Sequence, residues 1–409
     1  MKKRVSWVRD ITIFRYLSPA HGEKNIRGCF LALVLALCQP KSARAEDSLS
    51  YKFQSWQEDN QRIRVDSHYV LAEKGIGTDT QFKAMGLIDS IAGATPTGEL
   101  PRTPGGAVPL APMEDLRRAW SADLSHQFKR VNVTMGYAVS RESDYYSRGW
   151  SLNTLTDFNQ KNTNLLLGYG RTDDRIMEPK LGWTTDRYKT GNDYIVGFTQ
   201  VLNPNTSASI NVSYGQSKGF MSDPYKIVST TMLDADPGFY YTPPENRPRE
   251  KNKLSVYLTV SRHLEKLHAA VEGSYRYYHD AFGITSHTTS LEWVQDVGEH
   301  FLIQPSIRFV RQSAADFYYY DLDRSGIVTS FDPVLLETGT GRAPFYSSDY
   351  RLSYMETLDL GLKVTWKVSS WLWIDAVYDR YTSRGLDHIT PQDAYAKANT
   401  FTVGVKIFR

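Results

Sequence analysis

The chain has 409 residues, with 48 Lys plus Arg against 45 Asp plus Glu, and is 13% aromatic through 26 Tyr, 17 Phe and 9 Trp. A mean hydropathy of −0.44, with no apolar run of 18 residues beyond the first 45, excludes an α-helical membrane protein, and the aromatic load excludes disorder. Residues 1–45 hold nine basic and two acidic residues, which leaves 39 basic against 43 acidic in the rest and removes the support for nucleic-acid binding.

The leading 45 residues have the three parts of a secretory signal: a basic stretch, an apolar core from Cys29 to Cys38, and Ala43-Arg44-Ala45 before Glu46. The apolar core falls short of the roughly 20 residues that span a bilayer. Cleavage is therefore expected after Ala45, leaving residues 46–409 as one domain exported through the periplasm. Both cysteines lie in the removed part, so disulfides, Cys metal sites and a Cys nucleophile are excluded from the mature chain.

From Leu49 onward the chain breaks into sixteen segments of alternating apolar character, at 49–58, 61–73, 80–92, 116–127, 131–142, 146–158, 162–172, 192–202, 206–217, 251–263, 267–278, 285–297, 300–312, 351–367, 370–383 and 397–408. In 131–140, Val131, Val133, Met135, Tyr137 and Val139 oppose Asn132, Thr134, Gly136, Ala138 and Ser140. In 358–368, Leu358, Leu360, Leu362, Val364, Trp366 and Val368 oppose Asp359, Gly361, Lys363, Thr365 and Lys367. This is the period of a strand with two unlike faces. Every other connection is a tight turn, while the long ones, at 93–115, 173–191, 218–250, 313–350 and 384–396, fall on the opposite end. That alternation predicts an all-β fold, a transmembrane antiparallel up-and-down β-barrel of about 16 strands (14–18), with short periplasmic turns and long extracellular loops. A soluble all-β protein also alternates but has no reason to gather its long loops at one end. Aromatic clusters such as Tyr145-Tyr146, Tyr277-Tyr278 and Trp371 with Trp373 fit interfacial girdles against outer-membrane lipid.

Five stretches carry a family resemblance: Ser90-Ile-Ala-Gly-Ala-Thr-Pro-Thr-Gly98, Gly219-Phe-Met-Ser-Asp-Pro-Tyr-Lys226, Tyr275-Arg-Tyr-Tyr-His-Asp-Ala-Phe-Gly-Ile-Thr-Ser-His-Thr288, Arg311-Gln-Ser-Ala-Ala-Asp-Phe-Tyr318 and Ser347-Ser-Asp-Tyr-Arg-Leu-Ser353. The chain resembles the Gram-negative domain-of-unknown-function family 3570 over nearly all of its mature length. The resemblance implies an outer-membrane barrel and supplies no activity. The C-terminus, with Phe401, Val403, Val405 and Ile407 on one face, looks like the signal read by the barrel-assembly machinery, although it ends in Phe408-Arg409.

The inward positions are expected to line a hydrated lumen: Asn132, Thr134, Gln304, Arg308, Asp359, Lys363, Lys367, Asp375 and Asp379. A barrel of this size has room for an aqueous channel. Strand one begins close to the expected cleavage site, so loops rather than an N-terminal plug are expected to close it. Asp321, Asp323, Ser325, Ile327, Thr329 and Asp332 have the spacing of a calcium loop, with Gly326 at the turn position; the competing reading is an ordinary hairpin tip. His279, Asp280, His287, Arg311, Asp316, Asp349 and Arg351 are expected to form a polar network at the loop bases. The same His and carboxylate groups could instead serve proton transfer or a transition metal. No nucleophile elbow, HExxH, P-loop or dinucleotide fingerprint is present, so enzymatic activity is not expected. The expected function is a loop-gated pore for small polar solutes. The alternatives are a scaffold, sheath or anchor for a periplasmic or surface partner, including a redox protein, and a membrane-embedded hydrolase.

Overall fold

The computed structural model describes residues 47–101, 103, 105–180, 183–229, 243–325 and 344–409. Sixteen strands follow one another in the chain. They are β1 Ser48–Glu58, β2 Arg64–Ile76, β3 Thr80–Pro96, β4 Leu110–Phe128, β5 Val131–Arg141, β6 Tyr145–Phe158, β7 Thr163–Lys180 and β8 Trp183–Asn203. Then come β9 Thr206–Gly219, β10 Glu250–Leu264, β11 Ala269–Asp280, β12 Thr285–Val297, β13 Phe301–Gln312, β14 Met355–Ser369, β15 Leu372–Gly385 and β16 Lys397–Phe408. Each pairs antiparallel with its sequence neighbours, and β1 closes the ring on β16, from Ser48 opposite Phe408 to Glu58 opposite Ala398. Closure leaves no unpaired edge, the condition for strands to cross hydrocarbon.

The two faces of the wall invert the pattern of a soluble protein. One face carries bare apolar side chains, including Met135 at 62% exposure, Leu360 at 46% and Trp366 at 45%. An isolated exposed Leu means little, but a band of them around a whole barrel is a lipid-facing surface. The other face of the same strands, one residue out of step, carries Asn132, Thr134, Asp359, Lys363 and Asp375. The short-turn end is made of tight links, such as Asn159–Lys161, where Asn159, Gln160 and Lys161 all take positive φ.

All sixteen expected strands are present, and the corrections lie at the long-loop end. The segment 173–191, expected as a loop, is strand: β7 and β8 run on with 18 and 21 residues, far more than the roughly 9–11 a tilted strand needs to cross the membrane. This extension is held by charge across the hairpin, through Arg175 to Asp186 at 2.7 Å, Arg187 to Glu178 at 2.8 Å and Lys189 to Asp174 at 3.2 Å. A hydropathy pattern does not register such a ladder. The expected loop 93–115 is likewise trimmed by β3 and β4. Residues 351 and 352, expected to open a strand, belong to the 3-10 turn Tyr350–Leu352 capped by Asp349, which accepts from the Arg351 backbone N–H.

Candidate functional site: a loop lid over a charged wall

The inward face of the wall is polar and locally paired. Thr134 donates to Asn132 Oδ1 at 3.2 Å and shares a 2.7 Å hydrogen bond with Ser125. Gln304 stands opposite Lys363, and Arg308 opposite Asp359. Lys363 lies 3.6 Å from Asp375, which also accepts from Thr365 at 2.5 Å, and Lys367 lies 3.4 Å from Asp296. Asp379 stands opposite Gly361, whose missing side chain leaves the space its carboxylate fills. Lys253 reaches over Gly215 to Asp193 at 2.9 Å, and Glu73 receives Lys83 at 3.3 Å and Lys406 at 3.5 Å. Each of these pairs joins strands no more than two apart, so the charges run along the wall and not across the bore.

The long-loop end is built differently. The β3–β4 and β9–β10 loops hang from hairpins with β5 to β8 between them, yet they bond directly. Leu100 N–H donates to Ser229 Oγ at 3.0 Å, Ile227 N–H to Thr97 O at 3.2 Å, and the Lys226 amine to Pro96 O. The β13–β14 loop joins both: Ser348 Oγ donates to Ile227 O at 2.6 Å, and the Tyr320 hydroxyl donates to Glu99 O at 3.4 Å. On the β15–β16 side Tyr318 meets Thr390 at 2.5 Å, and Arg62 of the β1–β2 turn donates to Asp393 O at 2.6 Å. Two apolar clusters lie beneath: Phe282, Ile284, Ala315, Phe317 and Leu352, and Val108, Met355, Ala394 and Tyr395. Together these loops form a lid with a core of its own.

A buried charge cluster pins the lid. Arg247 of the β9–β10 loop meets Glu245 at 2.6 Å and Asp349 of the β13–β14 loop at 2.9 Å, and Arg351 reaches Asp223 at 3.1 Å. Asp349 is 2% exposed and Glu245 1%. Burial alone would raise Asp349, but the Arg351 and Arg247 guanidinium groups hold its carboxyl well below the usual range. Burial pushes Glu245 up to about 6, with Arg247 restraining it and Asp349 adding to it. Burial also depresses the Lys226 amine, against the pull of Asp349.

The seven residues expected as one loop-base network divide into separate groups. Asp280 faces inward, where it accepts from the Phe282 and Ile284 amides at 2.9 and 3.2 Å and from the Tyr278 hydroxyl at 2.7 Å, and pairs with Lys251 at 2.7 Å. His279 and His287, an odd number of residues away, face outward and bond Thr285 at 3.0 Å and Tyr275 at 2.7 Å. Arg311 is also outward, over the Tyr354 ring at 5.4 Å. Asp316 is exposed beside Gly283. Asp349 and Arg351 belong to the lid cluster. Strand alternation thus keeps the histidines apart from Asp280, the carboxylate a shared site would need.

In the expected calcium loop, Asp321 accepts from the Asp323 N–H at 2.9 Å and Ser325 Oγ donates to Leu322 O at 2.6 Å. Ile327, Thr329 and Asp332 lie outside the described residues. Glu245, Arg247 and Lys226 were not singled out from the sequence, although Lys226 ends one of the stretches quoted for the family. The rim trio Asp115, Glu142 and Asp144 was missed as well; its carboxylate oxygens lie within 4.8 Å of one another. Burial pushes Glu142 up to about 7, with Arg117 opposing and Asp115 and Asp144 reinforcing, and Tyr225 of the lid donates to Asp144.

A closed ring of sixteen strands with an apolar exterior, a polar interior and loops gathered at one end defines an outer-membrane-type β-barrel protein. This chain belongs to the family described as "Protein of unknown function (DUF3570)", whose model matches residues 32–189 and 178–394. No curated protein matches it. Among solved structures it is similar to a bacterial polysaccharide outer membrane secretin, at 11% identity over 90% of this chain and 99% of that one, with a TM-score of 0.47. It is similar also to OmpT of Vibrio cholerae, at 8% identity over 89% of this chain and 97% of that one, with a TM-score of 0.44. The siderophore receptor PirA of Acinetobacter baumannii matches at 9% identity over 85% of this chain, with a TM-score of 0.41, and the match spans 54% of that receptor's length. Likenesses this remote carry no argument about what the chain does.

Proposed function

We propose that the protein resides in the Gram-negative outer membrane, after export directed by residues 1–45 and insertion by the barrel-assembly machinery, and is a pore for small polar solutes closed by its extracellular loops. The observation that carries this reading is the contrast between a wall whose ion pairs stay within neighbouring strands and a lid whose bonds link distant hairpins. Calcium bound at the expected 321–332 loop would stiffen that loop. Planar-bilayer recording on the purified protein tests the pore and the metal loop. Small or rare steps from the intact protein, and steady ohmic steps once the lid cluster is broken by Arg247→Ala, support the gated pore. Silence of both proteins, each shown to be folded, overturns it and leaves the scaffold or sheath reading, which the paired wall charges also favour. A calcium-dependent change abolished by Asp321→Ala supports the metal loop; insensitivity to calcium and chelator removes it.

A further inference from the structure

The outer face of β4 to β8 carries an aromatic band. Tyr137 stands directly opposite Trp150, and Tyr169 opposite Tyr194; diagonal contacts join Trp120 to Tyr137 at 5.7 Å and Trp150 to Tyr169 at 5.2 Å between ring centroids. Trp120, Tyr137 and Trp150 are 50, 44 and 46% exposed. Such a band marks the level where hydrocarbon meets head groups.

One step toward the loops the same face turns basic. Arg118 and Arg148 each lie two residues before a band tryptophan, Arg171 lies two residues after Tyr169, and Arg141 and Arg175 are farther along the same face. Arg118 and Arg141 are direct cross-strand partners, an arrangement that destabilises a sheet when nothing of opposite charge intervenes. Arg148 is opposite Val139, two residues from Arg141, and so is its diagonal neighbour, ~7–8 Å away by sheet geometry. Among the described residues two carboxylates answer these arginines: Asp173 is held by Arg171 at 3.0 Å and Asp186 by Arg175 at 2.7 Å. Asp173 stands opposite Arg148 in register but is bonded to Arg171. The next acidic residue on this face of β4, Glu114, is four residues along, or ~13 Å. Three exposed arginines therefore stand as cross-strand neighbours one step above the aromatic band, and among the described residues no carboxylate forms an ion pair with them.

The arrangement elsewhere around the ring is different. There several outward arginines are neutralised within the protein, Arg64 by Asp66 at 2.9 Å, Arg380 by Asp59 at 2.7 Å and Arg384 by Glu356, while Arg311 lies singly over the Tyr354 ring. The β4–β6 trio is thus set apart by three such arginines lying together on adjacent strands.

We propose that Arg118, Arg141 and Arg148 form a binding site on the outer wall for the phosphorylated diglucosamine head group of lipid A. Guanidinium groups bind phosphate oxygens in pairs, and the acyl chains of a lipid held there lie down the wall over Trp120, Tyr137 and Trp150. The site rests on the outer-membrane reading for its biological setting. Its test in detergent needs neither a membrane nor a conducting pore, so its failure leaves the pore reading standing.

The experiment is native mass spectrometry of the purified protein folded in detergent, with bis-phosphorylated lipid A, dephosphorylated lipid A and inorganic phosphate as separate probes. Heat-modifiable gel mobility confirms that each variant is folded. The expected result is a lipid A adduct that falls at least tenfold in the combined Arg118→Gln, Arg141→Gln and Arg148→Gln variant. It should be retained in the combined Arg64→Gln, Arg380→Gln and Arg384→Gln variant, and should be weak with the dephosphorylated lipid. An undiminished adduct in the first variant, equal loss in the second, or equal binding of dephosphorylated lipid A would each overturn the proposal. So would inorganic phosphate binding as tightly as lipid A, which would make the trio a plain anion site.

Discussion

Wall and lid solve opposite problems with the same residue types. In the wall the backbone ladder satisfies the polar main chain, the apolar side chains face out, and charges settle in loose pairs such as Lys363 with Asp375, whose side chains are 37 and 19% exposed. In the lid the apolar side chains face in, around Phe282, Phe317 and Leu352, and the charges are buried: Glu245 and Asp349 keep 0 and 2% of their side-chain surface. The wall is therefore insensitive to the loss of any one of these half-exposed charges, unlike its buried Arg117–Asp89 pair at 3.6 Å. The lid depends on a few, because a buried charge left without its partner is far costlier than an exposed one.

The largest expected effect follows from that contrast. Arg247→Ala leaves Glu245 and Asp349 without the guanidinium that joins the two loops, and breaking a buried pair in this way costs on the order of 3–5 kcal/mol. The barrel itself should survive, since none of its ladder bonds involves Arg247. The expected outcome is an unchanged heat-modifiable barrel whose 220–249 and 313–354 loops become sensitive to protease. A variant as resistant as the parent would mean that the apolar clusters alone hold the lid.

Asp280 is the next most sensitive point, since one carboxylate collects two amides, a hydroxyl and an ammonium at the β11–β12 turn. Asp280→Ala orphans groups whose desolvation is worth ~1–3 kcal/mol. Hydrogen exchange at the Phe282 and Ile284 amides should accelerate, while amides of β13 to β15 stay protected. Equal protection in the variant would show that the Phe282 and Phe317 contact, with centroids 5.0 Å apart, fixes the turn unaided.

A smaller effect is set by pH. Glu245 is raised from 4.5 to about 6 in the closed lid, so closure favours its protonated form. That stabilisation is complete below the value of about 4.5 expected in an opened, solvated loop, and is lost as pH rises through 6. Between pH 7.5 and 5 the closed lid gains ~1 kcal/mol from this group by linkage. Glu142, raised to about 7 at the rim, acts in the same direction where opening exposes it. Asp349, held low, stays ionised throughout this window. Loop proteolysis should therefore slow at pH 5, and Glu245→Gln should flatten the dependence; a profile equally steep in the variant would assign it to Glu142.

The same contrast explains what the sequence discloses. A strand between lipid and water must alternate, so the sixteen segments could be read from period alone. The β7–β8 extension could not, because above the membrane both faces meet water and charge complementarity replaces hydropathy. The lid was hidden for a different reason: Arg247 and Asp349 are 102 residues apart, and no local pattern says which loops fold onto each other. One misreading was avoidable. His279 and Asp280 are adjacent in a strand and must face opposite ways, yet proximity in sequence grouped them.

The smallest effect on stability belongs to the wall, where the functional effect should be the clearer one. Lys363→Gln removes a half-exposed pair whose contribution is ~1 kcal/mol or less, and Thr365 still donates to Asp375. Unfolding in denaturant should barely change. Conductance is different, because an open bore sees the unbalanced Asp375 carboxylate as a fixed negative charge beside the path of ions. In the lid-opened Arg247→Ala background, Lys363→Gln should shift the reversal potential toward cation selectivity in a salt gradient, and Asp375→Asn should shift it the opposite way. Opposite shifts at unchanged stability would place both side chains on a hydrated passage. Loss of stability with no change of selectivity would instead assign the pair to the wall, as in the scaffold reading.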